Sequence, residues 1–270
     1  FSWIKTPSAR HFFMKRYLRV YPAWLIVACF YYIPRFHGGD LMAWIDLIGD
    51  ITINWDFWLH DELTFWYIPA TMLLYCFAPA YMELIRRHPI YRWLVVVMIL
   101  WCVLVQYVTP IHQVVGHIEI FWSRVPIFFI GINMGEMVRS KQRIDGMGIW
   151  MILIMFVMTL FTSIFLEQSR HGLFPLYIER MLYIPLTLTT ILLLNRVLRR
   201  TPRWFNKAFK FVGALSLECY LIHIHFVLDH LPKPWGYWLT FFVCLLITLP
   251  AAYLLSKIVN LISKSIEKAL

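Results

Sequence analysis

GIWMILIMFVMTLFTSIFL, residues 148–166, runs for nineteen positions without a charge. As a helix rising 1.5 Å per residue it reaches about 28 Å, close to the thickness of a bilayer's hydrocarbon core. Seven more apolar runs of about that size flank it, near Tyr21–Pro34, Thr64–Leu84, Tyr91–Thr109, Ile120–Val138, Phe174–Leu194, Phe211–Leu228 and Trp235–Ser256. The first is short, and a start near Tyr17 lengthens it. The pattern predicts an all-α protein, a polytopic transmembrane bundle of about eight spans, read as a single domain over residues 1–270.

Composition agrees. The 270 residues are 60% hydrophobic and 15% charged, where a soluble domain carries about 25% charge, and the mean hydropathy is +0.65. Soluble, disordered and disulfide-framework classes are excluded on these grounds. Thirteen Trp and 14 Tyr suit ring anchors at two membrane interfaces. The five cysteines lie inside apolar runs with no CxxC pair, which argues against zinc and predicts small buried hydrophobes. No metal is expected.

The net charge of +10 would suggest nucleic acid in a soluble protein, but no basic stretch is interleaved with solvent-facing aromatics. Instead 20 of the 25 basic residues fall in alternate connecting segments. These begin with Lys5, Arg10, Lys15, Arg16 and Arg19 and end with Lys257, Lys264 and Lys268. The opposite segments hold only Arg35, Arg170 and Lys233. The positive-inside rule then puts both termini in the cytoplasm. The longest outer connection, Asp40–Asp61, carries Leu41, Trp44, Ile45 and Ile48 at helical spacing. It is expected to lie at the outer interface as a helix, packing its apolar stripe against the spans.

Polar groups inside spans need partners or a function. Arg124 either snorkels to headgroups or faces inward as a cation. Gly131 and Gly135, on the same run, permit close helix approach. Glu179 and Arg180 are consecutive, hence about 100° apart, and suit an ion pair with another span as well as a catalytic role. Ser216, Tyr220 and His223 share a helical face at i, i+4 and i+7, with Glu218 pointing elsewhere. No hydrolase elbow, P-loop, HExxH or Rossmann pattern is present.

Four stretches, in order, resemble one family. Arg16-x-x-Arg19 precedes Tyr21-Pro22. Phe65-Trp66-Tyr67 leads to Tyr75 and Pro79. Ser123-Arg124 leads through Pro126 to Gly131, and Gly213 leads through Ser216 and Tyr220 to His223. Together they are similar to the membrane-bound acyltransferase 3 family, the O-acyltransferases of bacterial surface polysaccharides. The family has ten core spans with its RxxR loop after the second. Its proposed catalytic histidine lies on the first helix with an arginine eleven residues before it, and no position here matches that pair.

The resemblance implies transfer of an acyl group, acetyl foremost, from cytoplasmic acyl-CoA to a saccharide hydroxyl across the bacterial inner membrane. No bound cofactor is implied; acyl-CoA is a co-substrate. Arg16 and Arg19 are then the acyl-CoA ligands, charge-assisted and on one helix face. Trp66, Arg124, Glu179, Arg180, Ser216, Tyr220 and His223 line the acceptor cavity, with His223 a weak candidate for the base. Membrane lipid, acyl-CoA, the saccharide and polysaccharide-assembly proteins are the implied partners, and nucleic acid is not. The chain begins at Phe1, and eight spans starting at the RxxR segment equal ten less two. The expectation is an N-terminally incomplete chain, inactive alone. The competing expectation is a transporter or flippase for a lipid-linked saccharide, which also places charge inside a bundle.

Overall fold

A computed structural model describes residues 8–140, 144–169, 173, 176–199, 201–232 and 235–269. Phe1, Lys5, Arg170, Phe174 and Lys233, used in the sequence argument, lie outside the described residues. The described residues form helices joined by short connections, with no strand among them: α1 Ala9–Tyr32, α2 Leu41–Ile53, α3 Trp55–Leu59, α4 Tyr67–Arg87, α5 Leu94–Tyr107, α6 Thr109–Val115 and α7 Glu119–Asn133. There follow α8 Gly135–Arg139, α9 Gly146–Ser169, α10 Leu176–Leu198, α11 Arg203–Ala214, α12 Ser216–Ile222 and α13 Tyr237–Ala269. A π turn, His223–Val227, continues α12.

Among the described residues, six stretches are long and apolar enough to cross a membrane: Tyr67–Arg87, Pro89–Tyr107, Thr109–Arg139, Gly146–Gln168, Leu176–Leu198 and Tyr237–Lys268. The pair Arg203–Ala214 and Ser216–His230, bent by 51°, makes a seventh if it crosses as one. The run expected over 211–228 is therefore split at Leu215. Its first part belongs to α11, where Arg203, Lys207 and Lys210 recur on one face at i, i+4 and i+7. Helix α1 holds the place of the remaining expected span, but Lys15, Arg16 and Arg19 interrupt its apolar stretch.

The chain forms two compact units, one of residues Ser8–Tyr75 with Arg203–Leu270 and one holding Cys76–Pro202. In the first, Trp24, Val27, Ala28, Phe65, Ile68, Leu221 and Val259 form a buried core. Pro22, inside α1, has no N–H for the Leu18 carbonyl four residues back. The Ser263 hydroxyl of α13 donates to that carbonyl at 2.8 Å instead. Hydroxyl rescue of this kind is how membrane helices tolerate proline.

Helix α2 is capped by Asp40, whose carboxylate accepts the Ala43 N–H at 3.1 Å. Its stripe is inverted relative to expectation. Leu41, Trp44 and Ile48 are all more than half exposed, while Gly49 and Asp50 are buried. Only Leu47 and Ile51 pack on the core. A helix at a bilayer surface has an apolar phase outside it, so inward-facing apolar packing is not required.

Asn54 ends α2 at φ +57°, a left-handed conformation that Asn tolerates. Fully buried, it accepts from the Tyr32 hydroxyl at 3.1 Å and donates to the Thr64 carbonyl at 2.8 Å. This node fixes the turn into α4. Phe65 follows at φ +54°, a strained position costing on the order of 1 kcal/mol for a residue with a Cβ. Its ring packs on Trp24, Tyr31 and His225 with centroids 4.8–5.5 Å apart.

In the second unit, the Tyr81 hydroxyl donates to Asn133 Oδ1 at 2.9 Å, and Asn133 Nδ2 donates to the Arg92 carbonyl at 3.2 Å. Pro126 leaves the Trp122 carbonyl without its helical donor, and the buried Cys102 thiol takes that place at 3.1 Å. The cysteines are thus not uniformly buried hydrophobes: Cys102 is a buried donor and Cys76 is exposed on α4, where lipid rather than water is the natural neighbour. Gly131 and Gly135 have nothing within 4 Å of where a Cβ would stand, so no close helix approach uses them.

Candidate functional site

The first unit carries an open cavity of about 760 Å³. Five helices supply its wall. Helix α1 gives Arg19 and Val20, and Trp66 with Tyr67, Thr71 and Tyr75 of α4 forms a stripe at four-residue spacing. The α11–α12 corner gives Gly213, Ala214, Ser216, Leu217 and Tyr220, and α13 gives Ser256 and Asn260. Arg19 comes from the RxxR segment, the aromatics from the second motif, and Gly213, Ser216 and Tyr220 from the fourth.

Arg19 is anchored from behind. Its Nη1 donates to one oxygen of Glu218, and Nη2 donates to the other at 3.1 Å and to the Ala214 carbonyl at 2.6 Å. Glu218 is fully buried while the Arg19 side chain is 40% exposed. The ion pair therefore ties α1 to α12 and cancels most of the charge at the cavity wall. Two of the five guanidinium N–H groups remain for a ligand. Arg16, exposed on α1, holds its guanidinium 5.7 Å from the Phe12 ring centroid and 5.4 Å from that of Tyr75. The aromatic faces favour a cation there. The Tyr17 hydroxyl donates to the Met72 carbonyl at 2.9 Å and holds α4 against α1.

The hydroxyls differ in how they are used. Ser216 Oγ donates to the Gly213 carbonyl at 3.0 Å. Tyr220 Oη accepts the Tyr67 N–H at 3.3 Å, and the two rings meet edge to face at 5.5 Å. Thr71 and Ser256, at 7% and 9% exposure, have no hydrogen-bond partner among the described residues. Both residues line the cavity, so their hydroxyls are available to whatever enters it.

His223 is not among the lining residues. Its Nδ1 lies 2.9 Å from the Cys219 carbonyl and 3.1 Å from the Tyr220 carbonyl, both acceptors for an Nδ1–H. His223 stays beside Tyr220, their ring centroids 6.3 Å apart, and a π turn runs onward from His223 to Val227.

Arg124, Glu179 and Arg180 belong to the other unit. Arg180 Nη1 lies 3.0 Å from Glu119 Oε1, pairing α10 with α7, and the Arg124 guanidinium stands 5.6 Å from the Tyr183 ring centroid. Glu179 is half-buried, with no ion pair among the described residues. Of the residues named from sequence, the cavity thus brings together Arg19, Trp66, Ser216 and Tyr220. Sequence reasoning missed Glu218 as the Arg19 partner, and it missed Thr71 and Ser256. The signal for the last was the polar pair Ser256 and Asn260 at i, i+4 in an apolar helix. Among the described residues, no three of His, Cys, Asp or Glu are placed to hold a metal ion.

No curated protein and no solved structure matches the chain. The model of the acyltransferase 3 family, described as an acyltransferase domain, matches residues 1–257. A match over nearly the whole chain, on a helical membrane protein whose motif residues meet at one cavity, leaves one assignment: the chain belongs to the acyltransferase 3 family of membrane acyltransferases.

Proposed function

We propose that this acyltransferase moves an acetyl group from cytoplasmic acetyl-CoA to a hydroxyl of a bacterial surface or exported saccharide, working in the inner membrane with both chain ends in the cytoplasm. One observation carries the reading. Arg19, Trp66, Tyr67, Tyr75, Gly213, Ser216 and Tyr220, drawn from three of the four motif stretches, line a single cavity. Its volume suits a pantetheine arm with its acyl group, since ligand pockets run from about 300 to 1,000 Å³. Its walls suit that cargo too: aromatic rings for an apolar arm, hydroxyls for its amides and thioester. Arg16, exposed on the same face of α1, offers a cation to the CoA phosphates outside. The saccharide hydroxyl attacks the thioester, and the thiol of CoA leaves.

The test is thiol release by the full-length gene product in detergent, supplied with acetyl-CoA and saccharide fragments. Turnover that requires the saccharide and leaves acetyl on one of its hydroxyls is the expected result. Saccharide movement across vesicles without thiol release would instead support a flippase.

A further inference from the structure

Tyr67 is the first residue of α4, a helix of 21 residues, and its N–H is donated to Tyr220 Oη at 3.3 Å. The following backbone donors are spent or missing. Ile68 N–H goes to the Phe65 carbonyl at 3.0 Å, Pro69 has none, and Ala70 N–H goes to the Trp66 carbonyl at 3.3 Å. The positive end of the α4 dipole therefore acts on the cavity through the Tyr220 hydroxyl. Because that oxygen accepts from Tyr67, its own proton points away from α4, and no acceptor for it lies among the described residues. Tyr220 lines the cavity.

Thr71 sits one turn along the same face of α4 and Ser256 on α13, both more than nine-tenths buried and both unpartnered among the described residues. The cavity wall thus presents hydroxyl donors from three helices and no carboxylate. Such a wall fits an uncharged acceptor group that becomes negative, which is what a carbonyl under nucleophilic attack does.

Resting on the acyl-transfer reading above, we infer that Tyr220 is a catalytic residue whose hydroxyl donates to the thioester carbonyl oxygen, with Thr71 and Ser256 holding the amides of the same substrate arm. The acceptor hydroxyl oxygen forms the new bond to the carbonyl carbon, and the carbonyl π pair moves onto its oxygen. Tyr220 O–H, polarised by the Tyr67 N–H, holds that alkoxide. When the C=O re-forms, the carbon–sulfur bond breaks. The sulfur leaves with the electron pair and takes up the proton lost by the acceptor hydroxyl, giving an ester and a thiol.

The test uses full-length protein with acetyl-CoA labelled with ¹³C at the carbonyl, read by isotope-edited infrared spectroscopy. In the wild type, the bound thioester band moves to lower wavenumber than in free acetyl-CoA. Tyr220→Phe, saturated with acetyl-CoA, returns it toward the free position and lowers thiol release about 10²–10³-fold, the usual loss for one oxyanion donor. A second variant, 3-fluorotyrosine at position 220, keeps ring and hydroxyl but is the stronger acid, and it moves the band further down. A band identical in wild type and both variants, with substrate bound, overturns the assignment alone. No bound thioester in the wild type removes the acyl-CoA reading and the assignment with it.

Discussion

The Ser263 hydroxyl stands 2.8 Å from the Leu18 carbonyl that Pro22 leaves without a helical donor. A proline on α1 and a serine on α13, far apart in the chain, thus make one structural unit. The carbonyl lies one residue before Arg19, so the bond also holds the cavity's cation in register. Ser263→Ala is expected to lower stability by about 0.6–1 kcal/mol, the scale of one hydrogen bond between membrane helices. In a Pro22→Ala background the Leu18 carbonyl regains its own helical donor, and Ser263→Ala becomes neutral. Thermal midpoints of the four proteins in detergent check this; equal losses in both backgrounds refute it.

Asp50, on α2 outside the membrane-spanning helices, is raised to about 6 by burial first and by the Asp56 carboxylate second. An acid raised in the fold holds more protons folded than unfolded, so its contribution to stability is most favourable at low pH. That contribution is lost as pH climbs from the unfolded value of 3.8 through about 6. Asp50→Asn keeps the oxygen that accepts the Asp56 N–H at 3.0 Å and removes the charge. At pH 7 it should stabilise by on the order of 2 kcal/mol, and the difference from wild type should vanish below pH 4. Midpoints measured from pH 3 to 8 decide it, and parallel profiles would exclude Asp50 as the source.

The apolar runs were legible because a bilayer imposes helix length directly on the sequence. The direction of the α2 stripe was not. Leu41, Trp44 and Ile48 follow the rule for a water-soluble helix, but an apolar phase surrounds this chain, so the same stripe turns outward. Glu218 escaped for a different reason: a helical wheel of α12 places it away from Tyr220 but cannot show Arg19, 199 residues earlier, waiting on α1. His223 lies beside Tyr220 as the helical spacing predicts, ring centroids 6.3 Å apart, but it is not among the residues that line the cavity. Thr71 and Ser256 look like ordinary hydroxyls in apolar helices. Only the cavity distinguishes them from Thr189 on α10, whose hydroxyl is spent on the Pro185 carbonyl at 2.7 Å.

The two arginines of the RxxR segment should separate into different roles, although the sequence treats them alike. Arg19 gives three hydrogen bonds to Glu218 and Ala214, and Glu218 is fully buried. Arg19→Ala strands that carboxylate and is expected to cost on the order of 3 kcal/mol. Glu218→Gln should cost less, since Arg19 still reaches the cavity and keeps the Ala214 carbonyl. The double variant Arg19→Ala/Glu218→Ala should recover part of the loss, because no buried charge is left. Arg16 is exposed and stacked on rings, so Arg16→Ala should leave stability within about 0.5 kcal/mol of wild type. If the cation serves CoA phosphates, the same change weakens acetyl-CoA binding at low salt and flattens its salt dependence. Thermal midpoints and acetyl-CoA affinity, measured on the same samples of full-length protein, separate the roles. A stable Arg19→Ala protein with weakened binding, beside an Arg16→Ala protein that binds normally, would reverse the assignment and make Arg19 the phosphate ligand.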